Sequence, residues 1–233
     1  MNTKEHIFTS AVIAAAGSGT RMRTTTSKLL IKLGKRPVLA MALAAFDRAS
    51  EIDEIVVVTR EKDINKVKRM ASMFGIKKLT AVVGGGDTRQ KSIYNALNAV
   101  KGELVLIHDG ARPFVTQKQI NEVAKALYEN DAAALGVPVT DTIKSVDGDY
   151  ITGTIDRSTL VSIQTPQGFK TEIIKKAHEN AKDKGLSATD DCALCEEMGV
   201  DVKVVVGSPA NIKLTTPEDL MFAEGILKAK GEK

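Results

Sequence analysis

The residues with the most obvious chemical potential lie near the start of the chain. Gly17-Ser18-Gly19-Thr20-Arg21-Met22 directly follows an apolar run, and Lys28 comes after the polar stretch Thr24-Thr25-Thr26-Ser27. Glycines let the backbone approach a polyphosphate and turn tightly around it. Arginine adds a planar fork of donors and lysine a mobile point charge, both suited to phosphate oxygens. Two familiar phosphate-binding patterns are excluded. A P-loop has four residues between its glycines and then Lys-Ser/Thr, and the dinucleotide fingerprint has a third glycine where Met22 stands. Taken alone, the segment fits either a phosphate cradle or a turn with solvated basic residues. Its threonine run reads as a mobile lid or as an idle surface loop.

A second glycine cluster, Gly84-Gly85-Gly86-Asp87, precedes Thr88-Arg89-Gln90-Lys91-Ser92. Consecutive glycines permit close contact with a flat group such as a base, and Ser92 can add hydrogen bonds from a helix's first turn. The same residues also suit a plain strand-to-helix connection capped by Asp87 or Thr88. A third segment, His108-Asp109-Gly110-Ala111-Arg112-Pro113, puts a carboxylate at a strand end, where it can hold Mg²⁺ against phosphate oxygens. Arg112 can pair with Asp109 or Asp87, or meet a ligand. His108 reads as a packing residue, since no partner motif accompanies it.

The elements that must position these residues follow from periodicity. Strands are expected at Ala11–Ala16, Ile55–Thr59, Leu79–Val83, Leu104–Ile107 and Ala133–Val137. Between them, helices are expected at Pro37–Ala49, Lys62–Phe74, Thr88–Val100 and Lys118–Glu129. This alternation predicts an α/β, Rossmann-like, mostly parallel and doubly wound sheet. Its ligands belong beyond the carboxyl ends of the strands, where all three segments fall. The rhythm breaks between Val139 and Arg157, where Thr142–Val146 and Tyr150–Ile155 flank the hairpin signal Asp147-Gly148. A lone hairpin is marginal in water, so this arm must lean on the parent domain or on a second subunit. Helices near Thr171–Lys184 and Asp190–Met198, a strand at Val202–Val206 and a closing helix from Pro217 complete the reading.

A length of 233 residues suits a single domain, spanning 1–233 with the arm at about 139–157. Aromatics make up 4% with no tryptophan, so stacking platforms for nucleic acid are not expected, and the net charge of +4 is unconcentrated. The N-terminus lacks the organisation of a signal peptide, and no apolar run is long enough for a membrane span. Cys192 and Cys195 have no second Cys/His pair to complete a zinc site and read as reduced thiols on a helix. A cytoplasmic protein is expected.

AAAGSGTRM, SKLLIKL, GGGDTRQKSI, LVLIHDGARPF, VPVTDTIK, TIDRSTL, QTPQGF, ATDD and NIKLTTPEDL run in order from Ala14 to Leu220. The ordered set resembles the 2-C-methyl-D-erythritol 4-phosphate cytidylyltransferases of the non-mevalonate isoprenoid pathway, a nucleotide-diphospho-sugar transferase fold. The resemblance implies that Arg21 and Lys28 stabilise charge on the α-phosphate of CTP, with Lys213 also lining the site. It places Ala15, Ala16, Gly86, Asp87 and Ser92 at the cytidine, with Gly17 and Gly19 shaping the cradle, and makes Asp109 the Mg²⁺ ligand. It assigns Thr142 and Arg157 to an arm reaching the sugar phosphate of a neighbouring subunit, in a homodimer. Arg112, Thr165 and Thr189 line the same site. Many members have Pro-Lys-Gln where this chain has Ser27-Lys28-Leu29, which keeps the lysine and loses the proline.

The implied reaction needs no general base, because a phosphate monoester, with a second pKa of about 6, is already largely dianionic. A ribitol- or other polyol-phosphate cytidylyltransferase shares the glycine loop and the strand-end aspartate. A non-catalytic nucleotide sensor on the same fold would be expected to lose Arg21, Lys28 or Asp109, all present here. A nicotinamide-dependent oxidoreductase is disfavoured by the broken glycine fingerprint.

Overall fold

A computed structural model describes residues 6–17 and 31–231. Among the described residues, eleven strands and seven α-helices follow one another as β1 (Thr9–Ala15), β2 (Lys32–Leu33), β3 (Arg36–Pro37), α1 (Val38–Arg48), β4 (Glu54–Thr59), α2 (Ile64–Met73), β5 (Leu79–Gly84), α3 (Arg89–Leu97) and β6 (Leu104–Asp109). Then come α4 (Gln117–Ala126), β7 (Ala132–Pro138), β8 (Ile143–Asp147), β9 (Tyr150–Ile155), β10 (Val161–Lys170), α5 (Thr171–Asp183), α6 (Asp191–Glu196), β11 (Val202–Val206) and α7 (Pro217–Ala229).

Seven strands form one sheet in the order β11-β7-β10-β6-β1-β4-β5. Its central strands β4 and β6 are buried throughout and β1 nearly so, which explains their unbroken apolar runs. Side chains alternate across the sheet: Ile13, Ile55, Val57 and Leu106 pack toward α1, α2 and α4. Their neighbours Val12, Val56, Val58 and Ile107 pack toward α3, α5 and α6. A third cluster seats α7 through Ala223 and Leu227, with Leu214 just before the helix, on Leu33, Val38 and Phe114.

The topology creates the functional edge. From β1 the chain steps outward through β4 to β5, then returns to lay β6 on the other side of β1. All these pairings are parallel. The reversal of direction falls between β1 and β6, so their carboxyl ends border the crevice where such sheets bind ligands. Ala14 and Asp109 are direct partners across it.

β10 is the main departure from the sequence-based expectation, which placed no strand at 161–170. It runs antiparallel to both β6 and β7, and its register shifts between Ile163 and Gln167. Pro166 and Gly168 mask the strand signal, and the irregularity takes up the proline, which cannot donate to a ladder.

The arm is a separate two-stranded sheet. Its tip lies one residue further on than expected: Asp147 pairs with Tyr150, leaving Gly148-Asp149 as the loop. Gly148 sits at φ 55, a conformation that only glycine adopts without cost. Val146, Tyr150 and Ile151 are 65%, 80% and 66% exposed, so the arm finds little apolar support among the described residues. Cys192 and Cys195 are buried in α6. Cys192 falls in the helix's first turn, nearer its start than expected, but burial pushes both thiols up, Cys195 to about 12.

Candidate active site

Asp109 ends β6 and is the centre of a cluster of charges. Lys213 Nζ lies 2.7 Å from its Oδ2, and Arg112 Nε 3.8 Å from the same oxygen. Arg89 Nε approaches Oδ1 at 3.7 Å. Burial alone would raise the Asp109 pKa, but Lys213, Arg89 and Arg112 outweigh it and hold the group down at about 2. The carboxylate is therefore charged at any physiological pH. Asp191 takes up part of the Arg89 charge at 2.7 Å, so Lys213 and Arg112 supply the excess of positive charge beside Asp109, which suits polyanionic ligands.

Each member is fixed by its own element. The Arg112 guanidinium donates to the Asn211 carbonyl at 2.8 Å, while its buried Nε has no hydrogen-bond partner among the described residues. Asn211 Nδ2 donates to the Thr165 carbonyl at 2.9 Å, binding the segment that carries Lys213 to β10. The Asp109 N–H donates to Thr165 Oγ1 at 3.0 Å, and that oxygen lies 3.0 Å from His108 Nδ1. With its oxygen accepting from the backbone, the Thr165 hydroxyl donates to Nδ1. The imidazole proton then resides on Nε2, which donates to the Arg112 carbonyl at 3.1 Å. Burial pushes His108 down to about 4, so it is neutral, and its ring packs on Phe46 with centroids 5.0 Å apart. His108 is a structural residue, as the sequence suggested.

The second glycine cluster closes against the end of β1. A Cβ on Gly85 would stand 2.6 Å from the Ala16 Cβ and 2.8 Å from Ser92 Oγ, so only glycine fits between them. Ser92 Oγ accepts from the Gly86 N–H at 3.0 Å and donates to the Thr88 carbonyl at 2.8 Å. Its hydroxyl folds the loop, leaving exposed Gly86 and Asp87 to present backbone and carboxylate to a ligand. The cap of α3 is Thr88 rather than Asp87. Ala15 is buried at the end of β1, and Gly17 is exposed beside it.

Other expected residues are distributed unevenly. Thr189 is exposed and directly precedes Asp190, which caps α6. Thr142 and Arg157 sit at the base of the arm, with Arg157 donating to the Thr140 carbonyl at 2.6 Å. Neither contacts the Asp109 cluster. Gly19, Arg21 and Lys28 lie outside the described residues.

Two contributors escaped the sequence reading. Arg89 Nη2 is 2.7 Å from Asp191 Oδ2, and Asp191 Oδ1 is 3.2 Å from His178 Nε2. Gln167 of β10 accepts from the Asp191 N–H at 3.2 Å and donates to Asp190 at 2.6 Å. Asp191 thus anchors Arg89 from behind, and Arg89 reaches Asp109 from the side of α3. The available signal was the position of Arg89 at the helix start after three glycines, opposite the doubled aspartate of ATDD.

Comparison with known proteins gives the family. The family model for 2-C-methyl-D-erythritol 4-phosphate cytidylyltransferase matches residues 9–229. The chain is 46% identical over 222 residues to the enzyme of that name from Halalkalibacterium halodurans, covering 95% of this chain and 97% of that one. It is 47% identical over 223 residues to that from Caldanaerobacter subterraneus, covering 94% and 98%. Among solved structures, 4-diphosphocytidyl-2C-methyl-D-erythritol synthase from Anaerococcus prevotii superposes with a TM-score of 0.86 at 37% identity, over 96% and 97% of the two chains. The cytidylyltransferase from Thermus thermophilus gives 0.77 at 32% identity, over 95% and 100%. With the mostly parallel sheet, the Gly84–Ser92 loop and the charged end of β6 described, the family model and these relatives show that the chain belongs to the 2-C-methyl-D-erythritol 4-phosphate cytidylyltransferase family.

Proposed function

We propose that this chain transfers CMP from CTP to 2-C-methyl-D-erythritol 4-phosphate, giving 4-diphosphocytidyl-2-C-methyl-D-erythritol and pyrophosphate. The observation that carries this reading is the Asp109–Lys213–Arg89–Arg112 cluster at the switch point, on the same sheet edge as the glycine loop at Gly84–Ser92.

The chemical problem is repulsion between two polyanions, since the acceptor phosphate is itself the nucleophile. Ala15, Ala16, Gly86 and Asp87 hold the cytidine. Gly17 and Gly19 shape the triphosphate cradle. Arg21 and Lys28, aided by Lys213, supply positive charge where the reacting α-phosphorus gains negative charge. Arg112, Thr165 and Thr189 border the acceptor's side of the cleft.

Asp109 is the residue that would hold Mg²⁺. A single ionised carboxylate beside Lys213, Arg89 and Arg112 is a poor trap for a bare ion, and would hold Mg²⁺ only together with the phosphate oxygens of a bound nucleotide. The chemistry the ion would supply there is neutralisation of phosphate charge.

The exposed apolar side chains of the arm support a homodimer in which Thr142 and Arg157 reach the acceptor bound by the other subunit. Among the described residues no helix is long and apolar enough to cross a membrane, in keeping with a cytoplasmic enzyme. Pyrophosphate release from CTP with 2-C-methyl-D-erythritol 4-phosphate, against ribitol 5-phosphate in parallel, tests the reading. Turnover with ribitol 5-phosphate alone would overturn it.

A further inference from the structure

A cleft of about 630 Å³ lies between the β2–β3 turn, α1, the loop following β6 and the C-terminal end of α7. Four cationic side chains line it: Lys35 and Arg36 from the turn, Arg48 from α1, and Lys230 just after α7. No carboxylate is among the lining residues. Leu33, Phe114 and Leu227, all buried, give it an apolar floor.

Four exposed cations on one helix face would be an ordinary solvated surface, but these come from three separate elements and converge on a concavity. None of the four at the cleft has a carboxylate partner among the described residues. Two are also held in place. Lys230 Nζ stands 5.2 Å from the centroid of the Phe114 ring. With the Gln117 amide oriented to satisfy both of its atoms, its oxygen accepts from Arg48 Nε at 3.3 Å. Thr116 and Gln117, which also line the cleft, begin α4 and add the positive end of its dipole. Like charges gathered around one hollow repel each other, and an anion bound among them relieves that repulsion.

We propose that this cleft is a second ligand site, taking a small amphiphilic anion with a phosphorylated head against Arg48 and Lys230 and an apolar body on the Leu33–Phe114–Leu227 floor. The loop after β6 divides it from the nucleotide site. Asp109 and Arg112 turn toward Lys213 and Asn211, whereas Pro113 to Gln117 line the cleft. The two sites share no residue, so their ligands do not compete for the same groups.

Titration calorimetry on the full chain with 1-naphthyl phosphate tests this. One equivalent should bind with an affinity that saturating CTP does not change. Inorganic phosphate and 1-naphthol should each bind at least about tenfold more weakly, because each lacks half of the recognised chemistry. The double substitution Arg48→Gln with Lys230→Gln should weaken binding at least about tenfold while CTP turnover stays at the wild-type rate. Lys35→Gln with Arg36→Gln, confined to an exposed turn, serves the same purpose if the first pair disturbs folding. Lys213→Ala should leave naphthyl phosphate affinity unchanged. Absence of binding, displacement by CTP, equal affinity for naphthol or phosphate, or indifference to the cleft substitutions would each overturn the proposal.

Discussion

The Lys213 ammonium stands 2.7 Å from Asp109 Oδ2, joining the segment after β11 to the end of β6. The contact ties the stability of the fold to the charge of its own site. The carboxyl pKa is depressed from 3.8 to about 2, so the stabilisation is complete above about pH 4 and is lost as pH falls toward 2. The size of the shift corresponds to about 2 kcal/mol. Chemical unfolding of wild type and Asp109→Asn should differ by about that amount at pH 6, and the gap should close between about pH 4 and pH 2. A gap that does not vary with pH would mean that the aspartate is held by packing rather than by its cations.

Gly85→Ala addresses the cytidine loop. The new methyl would need the space of the Ala16 Cβ and Ser92 Oγ, so the 84–86 turn must move away from β1. CTP affinity should fall about tenfold or more, with little loss of thermal stability because the loop is at the rim. Equilibrium binding of CTP measures this directly.

Lys28→Ala should lower kcat by roughly two to three orders of magnitude, in the manner of a lost oxyanion donor, while CTP affinity changes little. Steady-state kinetics separate the possibilities. A raised KM with kcat intact would assign the lysine to uniform substrate binding.

Arg157→Ala should raise KM for the acceptor phosphate and spare CTP binding, because the residue lies on the arm and away from the Asp109 cluster. Equal losses for both substrates would count against an arm dedicated to the acceptor.

Most of the fold was legible because strands buried on both faces leave uninterrupted β-branched runs, as at Ile55–Thr59, and amphipathic helices leave their own period. β10 was not, since a proline and a glycine interrupt it and its partners lie far away in sequence. The strand-end position of Asp109 was readable from the sequence. Its coupling to Arg89, Asp191 and His178 was not, because those residues come from α3, α6 and α5 and meet only once the sheet is wound. The cap of α3 went to Thr88 because its hydroxyl reaches the Lys91 N–H at 3.0 Å.

The two buried cysteines have a practical consequence. With thiols this protonated and enclosed, maleimide reagents at neutral pH have no native target in α6. A single cysteine installed at the exposed Asp149 of the arm tip would carry a fluorophore without any background substitution. Energy transfer between two chains labelled in this way reads out whether, and how closely, the arms of neighbouring molecules approach each other.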